Sequence, residues 1–246
     1  MADVAALQHR EAVSRPAPPP QREPCAAGVS GDGGWHEVLR AVVRELDCGG
    51  RPPMPILDRL NRASAEELDG WAEPLLAADL EHIDPAAAPF LAAAIQVQRT
   101  LLASRPDARA IVPDEPGYLC PVCGFLPVAS LLQTGGEVHG LRYLVCGLCG
   151  SQWHRTRSQC VHCGSAREMG YYGIEGGGAA VQAEACGDCR VYLKILNREK
   201  DPQLDPVADD LASLSLDLLM AQEGYRRLGF NPLLIPGGER RRISVR

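Results

Sequence analysis

Eight of the ten cysteines fall into four Cys-x-x-Cys pairs: Cys120/Cys123, Cys146/Cys149, Cys160/Cys163 and Cys186/Cys189. Two intervening residues let a tight turn aim both sulfurs of a pair at one ion, about 2.3 Å away for zinc. The spacing repeats. Twenty-two residues separate the first pair from the second, and twenty-two separate the third from the fourth. A shift of 40 residues places Cys120 on Cys160, Gly124 on Gly164 and Cys146 on Cys186. The pattern is one small metal-binding unit, duplicated, and it supplies ligands for two tetrahedral four-sulfur sites. Sequential pairing puts Cys120, Cys123, Cys146 and Cys149 in one site and Cys160, Cys163, Cys186 and Cys189 in the other. Cross-braced pairing would instead join the first pair to the third. A repeat in which each copy carries a whole site favours the sequential arrangement.

Four thiolates suit zinc and iron equally. The knuckle Cys120-Pro121-Val122-Cys123-Gly124 has the look of a rubredoxin knuckle, and zinc ribbons use similar ones. Iron would bring one-electron chemistry; zinc would leave a scaffold. Glycine follows the second cysteine in three knuckles, as Gly124, Gly150 and Gly164, where it can adopt positive φ and turn its N–H toward a sulfur. The fourth knuckle has Arg190 instead, which sets its site apart. His162 and His154 lie in or near knuckles but are expected outside the ligand shell, since each site already has four cysteines. A divalent ion among four thiolates is a centre of charge −2. Arg142, Arg155, Arg157 and Lys194 are therefore expected as counter-charges to the sites. Trp153, Tyr171 and Tyr172 read as small-domain core.

Each unit reads as knuckle, strand, turn, strand, knuckle, strand. In the first, Leu126 to Leu132 and Leu141 to Val145 flank a turn at Thr134-Gly135-Gly136, and Ser151 to Arg157 follows. In the second, Met169 to Ile174 and Val181 to Ala185 flank Gly176-Gly177-Gly178, and Val191, Leu193 and Ile195 alternate inward and outward. Sheets this small bury too little apolar surface to fold alone, so metal–sulfur bonds supply the missing stability.

The rest of the chain must position these units. Residues 1–34 form a Pro/Gly-rich tail with the composition of a disordered segment, and Cys25 within it is an incidental thiol. Residues 35–113 read as a helical domain. Val38, Leu39, Val42 and Leu46 make one stripe ended by Gly49-Gly50, with Cys48 as a small apolar residue at that end. Ser64 and Glu67 form a capping box, and Asp84-Pro85 opens a helix with Phe90, Ala94, Val97 and Leu101 on its apolar face before Pro106. Residues 114–158 are the first ribbon and 159–200 the second. Residues 201–236 are a closing helix from Asp205-Pro206 to Gly229 and Pro232. Its apolar face is Val207, Leu211, Leu214, Leu218 and Tyr225, and Arg226 and Arg227 sit at its negative end. Residues 237–246 are a basic tail. The fold class is α+β: an N-terminal helical domain, two tandem rubredoxin-like or zinc-ribbon units and a C-terminal helix.

Bulk properties exclude several classes of function. The formal net charge is −6, which disfavours a nucleic-acid or anionic-membrane surface. Met1 to Arg10 has no apolar core of the signal-peptide kind, and no apolar run is long enough to span a bilayer. The expected compartment is the reducing cytoplasm, where paired cysteines serve as metal ligands or redox pairs. There is no Walker-type loop, nucleophile elbow or His-Glu-x-x-His, so no catalytic residues are assigned. The remaining alternatives are a metal-bearing accessory protein, a rubredoxin-like electron carrier or thiol-redox protein, and a zinc-ribbon nucleic-acid binder.

Several stretches carry a family resemblance. They are Cys120-Pro-Val-Cys-Gly124, Pro127-Val-Ala-Ser130, Gly140-Leu-Arg-Tyr-Leu144, Trp153-His154, Glu184-Ala-Cys-Gly-Asp-Cys189 and Tyr192-Leu-Lys-Ile195. Lys200-Asp-Pro202, Ala208 to Ser213, Glu223-Gly-Tyr225 and Asn231-Pro232 extend it. Together they resemble the formate dehydrogenase accessory protein FdhE family, over roughly residues 35–236. Members usually have a longer helical segment before the region matching Trp35, where this chain has its Pro/Gly-rich tail. The resemblance implies a cytoplasmic, non-enzymatic factor that assists maturation of respiratory formate dehydrogenase. It implies the catalytic subunit of that enzyme as partner, and two mononuclear metal ions held by the eight paired cysteines, with iron favoured over zinc.

Overall fold

The computed structural model describes residues 34–48, 54–105, 117–133, 140–176 and 178–234. The proline-rich tail, Cys25, Gly49-Gly50, Pro106 with most of the following linker, the Thr134 turn, Gly177 and the arginine-rich end lie outside the described residues, as does the side chain of Cys48. The chain divides into two compact units, one of Met1–Ile111, Val122–Gly124 and Pro232–Arg246 and one of Val112–Pro121 and Phe125–Asn231.

The first unit contains α1 (Gly34–Cys48), α2 (Pro55–Arg62), α3 (Ala65–Leu76) and α4 (Ala88–Ala103). The α1 stripe of Val38, Leu39, Val42 and Leu46 is buried, and Trp35 and Val43 join it. The capping box is present: Ser64 Oγ accepts from the Glu67 N–H, and the Glu67 carboxylate accepts from the Ser64 N–H at 2.8 Å. Those bonds satisfy two N–H groups that a helix start leaves without partners. Asp84 accepts from the Ala86 N–H at 2.9 Å and pairs with Arg59. Helix α4 departs from the expected single apolar face. Nearly every residue from Phe90 to Arg99 is buried, while Leu101 is only half-buried. It packs on both α1 and α3, and its alanine-rich sequence permits that close approach.

Among the described residues the second unit holds a seven-stranded sheet. Its strands are β1 (Pro127–Gln133), β2 (Leu141–Cys146), β3 (Gln152–His154), β4 (Met169–Tyr172), β5 (Val181–Cys186), β6 (Val191–Asn197) and β7 (Arg226–Arg227). Strands β1, β2 and β3 form one antiparallel ribbon, and β4, β5 and β6 form the other. A parallel pairing of β1 with β6, Ser130 opposite Ile195 and Leu132 opposite Asn197, fuses them into the order β3-β2-β1-β6-β5-β4. The ribbons therefore share a sheet rather than standing as separate beads. Strand β6 becomes central, and Val191 to Leu196 are all buried instead of alternating. Strands covered on both faces read as continuous apolar runs.

Residues 205–228 do not form one helix. Helix α5 (Ala208–Ala212) and helix α6 (Leu214–Gln222) are separated at Ser213, whose hydroxyl donates to the Asp209 carbonyl at 2.6 Å. Chain then turns into β7, parallel to the start of β6. The inward residues are Asp210, Leu216, Met220 and Tyr225, whereas Leu218, expected on the apolar face, is 68% exposed. Buried charge explains the difference. Lys194 is fully buried on β6 and pairs with Asp210 at 3.1 Å and Asp217 at 2.7 Å. Arg227 reaches the same two carboxylates, and Asn231 donates to Asp210 at 2.9 Å. Arg226 and Arg227 are strand residues, not partners of a helix dipole. Gly229 does not end a helix. A Cβ there would lie 2.8 Å from the carbonyl oxygens of Pro127 and Val128, so glycine lets this segment press against β1.

Candidate metal centres

All four Cys-x-x-Cys pairs sit in knuckles of one design. Cys120 and Cys160 each begin a loop that closes on itself, Cys120 N–H to the Phe125 carbonyl at 2.9 Å and Cys160 N–H to the Ser165 carbonyl at 2.7 Å. Cys146 and Cys186 are the last residues of β2 and β5, so each strand end delivers a sulfur. The residue after the second cysteine is left-handed in every knuckle: Gly124 at φ +72°, Gly150 at +72°, Gly164 at +75° and Arg190 at +56°. That conformation is open to glycine and costs other residues about 1 kcal/mol or more. Arg190 is held there by contacts. Its guanidinium stacks over the Tyr225 ring, 4.0 Å from the centroid, and donates to the Glu223 carbonyl.

The N–H groups of Gly150 and Gly164 do not point at sulfur as expected. Gly150 donates to the Cys146 carbonyl at 3.2 Å and Gly164 to the Cys160 carbonyl at 2.9 Å, closing the turns. Donors to Cys146 Sγ lie inside the knuckle, the Leu148 and Cys149 N–H groups each at 3.4 Å, whereas Cys163 and Cys189 take theirs from Ser165 and Val191, two residues further on. Such bonds favour a thiolate over a thiol.

The knuckles bring the cysteines together sequentially. Cys120, Cys123, Cys146 and Cys149 form one cluster and Cys160, Cys163, Cys186 and Cys189 the other, with sulfurs within 4.8 Å of one another. Cys120 and Cys149 Sγ are 3.6 Å apart; Cys160–Cys189 and Cys163–Cys186 are each 3.7 Å apart. Four sulfurs about 2.3 Å from a central ion stand about 3.8 Å apart along a tetrahedral edge. A disulfide would need about 2.05 Å, and none of the eight is in one. The donor set thus fits two ions of the zinc or ferrous-iron kind. Without a metal, burial pushes Cys160 up to about 11 and also raises Cys189. Binding must therefore displace protons.

Neither histidine joins a cluster. His154 lies against Tyr143 and is exposed, and His162 stacks on Tyr118 at 5.6 Å between centroids. Trp153 is core, but Tyr171 and Tyr172 are 44% and 38% exposed on edge strand β4. Arg142 and Lys194 are not counter-charges to the thiolates. Arg142 pairs with Glu184 in full burial and donates to the carbonyls of Thr156 and Gln159, on the connection between the ribbons. Burial holds the Glu184 carboxyl above its usual range, and Arg142 offsets part of that. These two ion-pair systems lie on opposite faces of the sheet, since Glu184 is opposite Leu193, the neighbour of Lys194. A charge set among apolar strand residues, as in Leu141-Arg142-Tyr143-Leu144, marks such a site in sequence, but its partner is invisible there.

A pair of fused four-cysteine ribbons in a chain that also has a helical unit defines a class of tandem ribbon proteins, and comparison places the chain within it. Family models for the FdhE N-terminal, central and C-terminal domains match residues 1–115, 119–157 and 158–234. The N-terminal match thus begins well before Trp35. The chain is 43% identical over 209 residues to a protein FdhE homolog of Cronobacter sakazakii, covering 84% of this chain and 67% of that protein. It is 43% identical over 206 residues to protein FdhE of Salmonella enteritidis, covering 82% and 66%. A crystal structure of the FdhE protein from Pseudomonas aeruginosa superposes with a TM-score of 0.77 at 33% identity, covering 96% of this chain and 88% of that one. The chain belongs to the FdhE family, and it spans about two thirds of the length of the curated relatives it matches. No helix among the described residues is long and apolar enough to cross a membrane.

Proposed function

We propose that this chain is a non-enzymatic accessory factor in the maturation of a respiratory formate dehydrogenase. It acts in the cytoplasm and docks on the enzyme's catalytic subunit through its ribbon unit. The observation that carries the reading is the joint one: two cysteine tetrads at metal-bond spacing in a chain of the FdhE family. Cys120, Cys123, Cys146 and Cys149 would hold one ion and Cys160, Cys163, Cys186 and Cys189 a second, with iron favoured by the family resemblance. When bound, each ion cross-links two knuckles from distant points of the chain and fixes the sheet ends. Tyr171 and Tyr172 on edge strand β4, with Ile174 just after it, are large side chains that this unit exposes and are candidates for the contact.

Anaerobic co-purification tests this. Tagged full-length chain should retain the formate dehydrogenase catalytic subunit from the same cell, and a Cys146→Ser/Cys149→Ser chain should not. If the intact, metal-loaded chain retains nothing, the reading moves to a rubredoxin-like electron carrier, which would show a reversible colour change on reduction.

A further inference from the structure

The duplicated unit is not symmetric in its exposure. In the first tetrad every cysteine is buried, at 6% exposure or less. In the second, Cys160 and Cys186 are equally buried, but Cys163 is exposed and Cys189 half-buried. The 40-residue shift relates Cys163 to Cys123 and Cys189 to Cys149, so the second cysteine of each knuckle is closed in one copy and open in the other.

The same shift shows which neighbouring residues differ between the copies. Phe125 and Leu148, both buried in the first copy, correspond to Ser165 and Asp188 in the second. Those two hydrogen-bond to each other, and Asp188 is exposed and pairs with Arg167 at 3.5 Å. An apolar aromatic and an aliphatic side chain exclude water from the neighbourhood of a sulfur; a serine–aspartate pair that itself seeks water does not. The fourth knuckle also replaces Gly150 by Arg190, whose side chain leans away over Tyr225.

We infer that the tetrads divide their roles: the first is a closed structural site, and the second is an exchange-competent site open to small thiophilic reagents through Cys163 and Cys189. This rests on the reading of both tetrads as metal sites. The reagent class follows from the exposed atoms. A soft sulfur at the surface admits a chelator, an external thiol or an alkylating electrophile, and its accessibility sets the rate.

The test uses full-length chain loaded with zinc alone and challenged with excess 4-(2-pyridylazo)resorcinol. Parallel samples are pulsed with iodoacetamide and mapped by peptide mass. One of the two ions should leave roughly tenfold or more faster than the other, with alkyl groups on Cys163 and Cys189 before any cysteine of the first tetrad. A Ser165→Phe/Asp188→Leu chain, which transplants the apolar cover, should slow the fast phase toward the slow one. If that variant does not fold, the labelling order in the unaltered chain still decides. Two zinc ions leaving at one rate, or first labels on Cys123 or Cys149, would overturn the inference and leave the metal sites standing. A chain that takes up no zinc would overturn both.

Discussion

Arg190 occupies a backbone conformation that the other three knuckles give to glycine. Its stacking on Tyr225 and its bond to the Glu223 carbonyl hold it there. Two substitutions separate strain from contact. Arg190→Ala keeps the left-handed strain and loses the contacts; Arg190→Gly loses the contacts but relieves the strain. The glycine variant should be the more stable of the two by about 1 kcal/mol in urea unfolding of the metal-loaded chain. Equal stabilities would mean that the knuckle tolerates the alanine backbone without cost. Replacing both Cys146 and Cys149 by serine has a larger effect. A structural four-cysteine ion contributes on the order of 10 kcal/mol to folding, comparable to the whole stability of a domain. Elemental analysis should find one ion instead of two, and the β1–β2–β3 ribbon should lose protection from hydrogen exchange. Unchanged metal content would contradict the ligand assignment.

Among the elements, β6 ties the second unit together. It pairs with β5, with β1 from the other ribbon and with β7, and it carries Lys194 inward to Asp210 and Asp217. Removing one partner of a fully buried ionic cluster strands the others in a low dielectric. Lys194→Met should therefore cost about 3 kcal/mol, with Arg227 still sharing the two carboxylates. Hydrogen exchange should accelerate over residues 208–222 before it does over β1 and β2. Uniform exchange rates would show that the helices are not held by this cluster. Strand positions and cysteine grouping were legible in the sequence because both rest on local signals: knuckle spacing, turn glycines and short apolar runs. The capping box at Ser64 was legible for the same reason. The fusion of the ribbons was not, since the β1–β6 pairing joins residues 65 positions apart (Ser130 with Ile195) with no local mark. The break at Ser213 was hidden as well. The inward face of α5 and α6 is set by Asp210 meeting Lys194, and a hydrophobic pattern points elsewhere.

At the scale of the whole molecule, the proposed ligands all lie between Cys120 and Cys189, and α1 to α4 rest on apolar packing. Metal removal should therefore act on one part of the chain. With strong chelator under reducing conditions, the near-ultraviolet signal of Trp153 should collapse, while most of the helical signal persists. Loss of the helical signal in the same step would show that the helices depend on the ions as well.

The central claim is that each chain holds two ions, each in an all-sulfur shell. The most direct measurement is X-ray absorption at the metal edge on anaerobically purified full-length chain, with metal and protein quantified on the same sample. Two ions per chain are expected, each with four sulfur neighbours at about 2.3 Å. One ion per chain, a shell with nitrogen or oxygen in it, or sulfur pairs at disulfide distance in place of metal would contradict it.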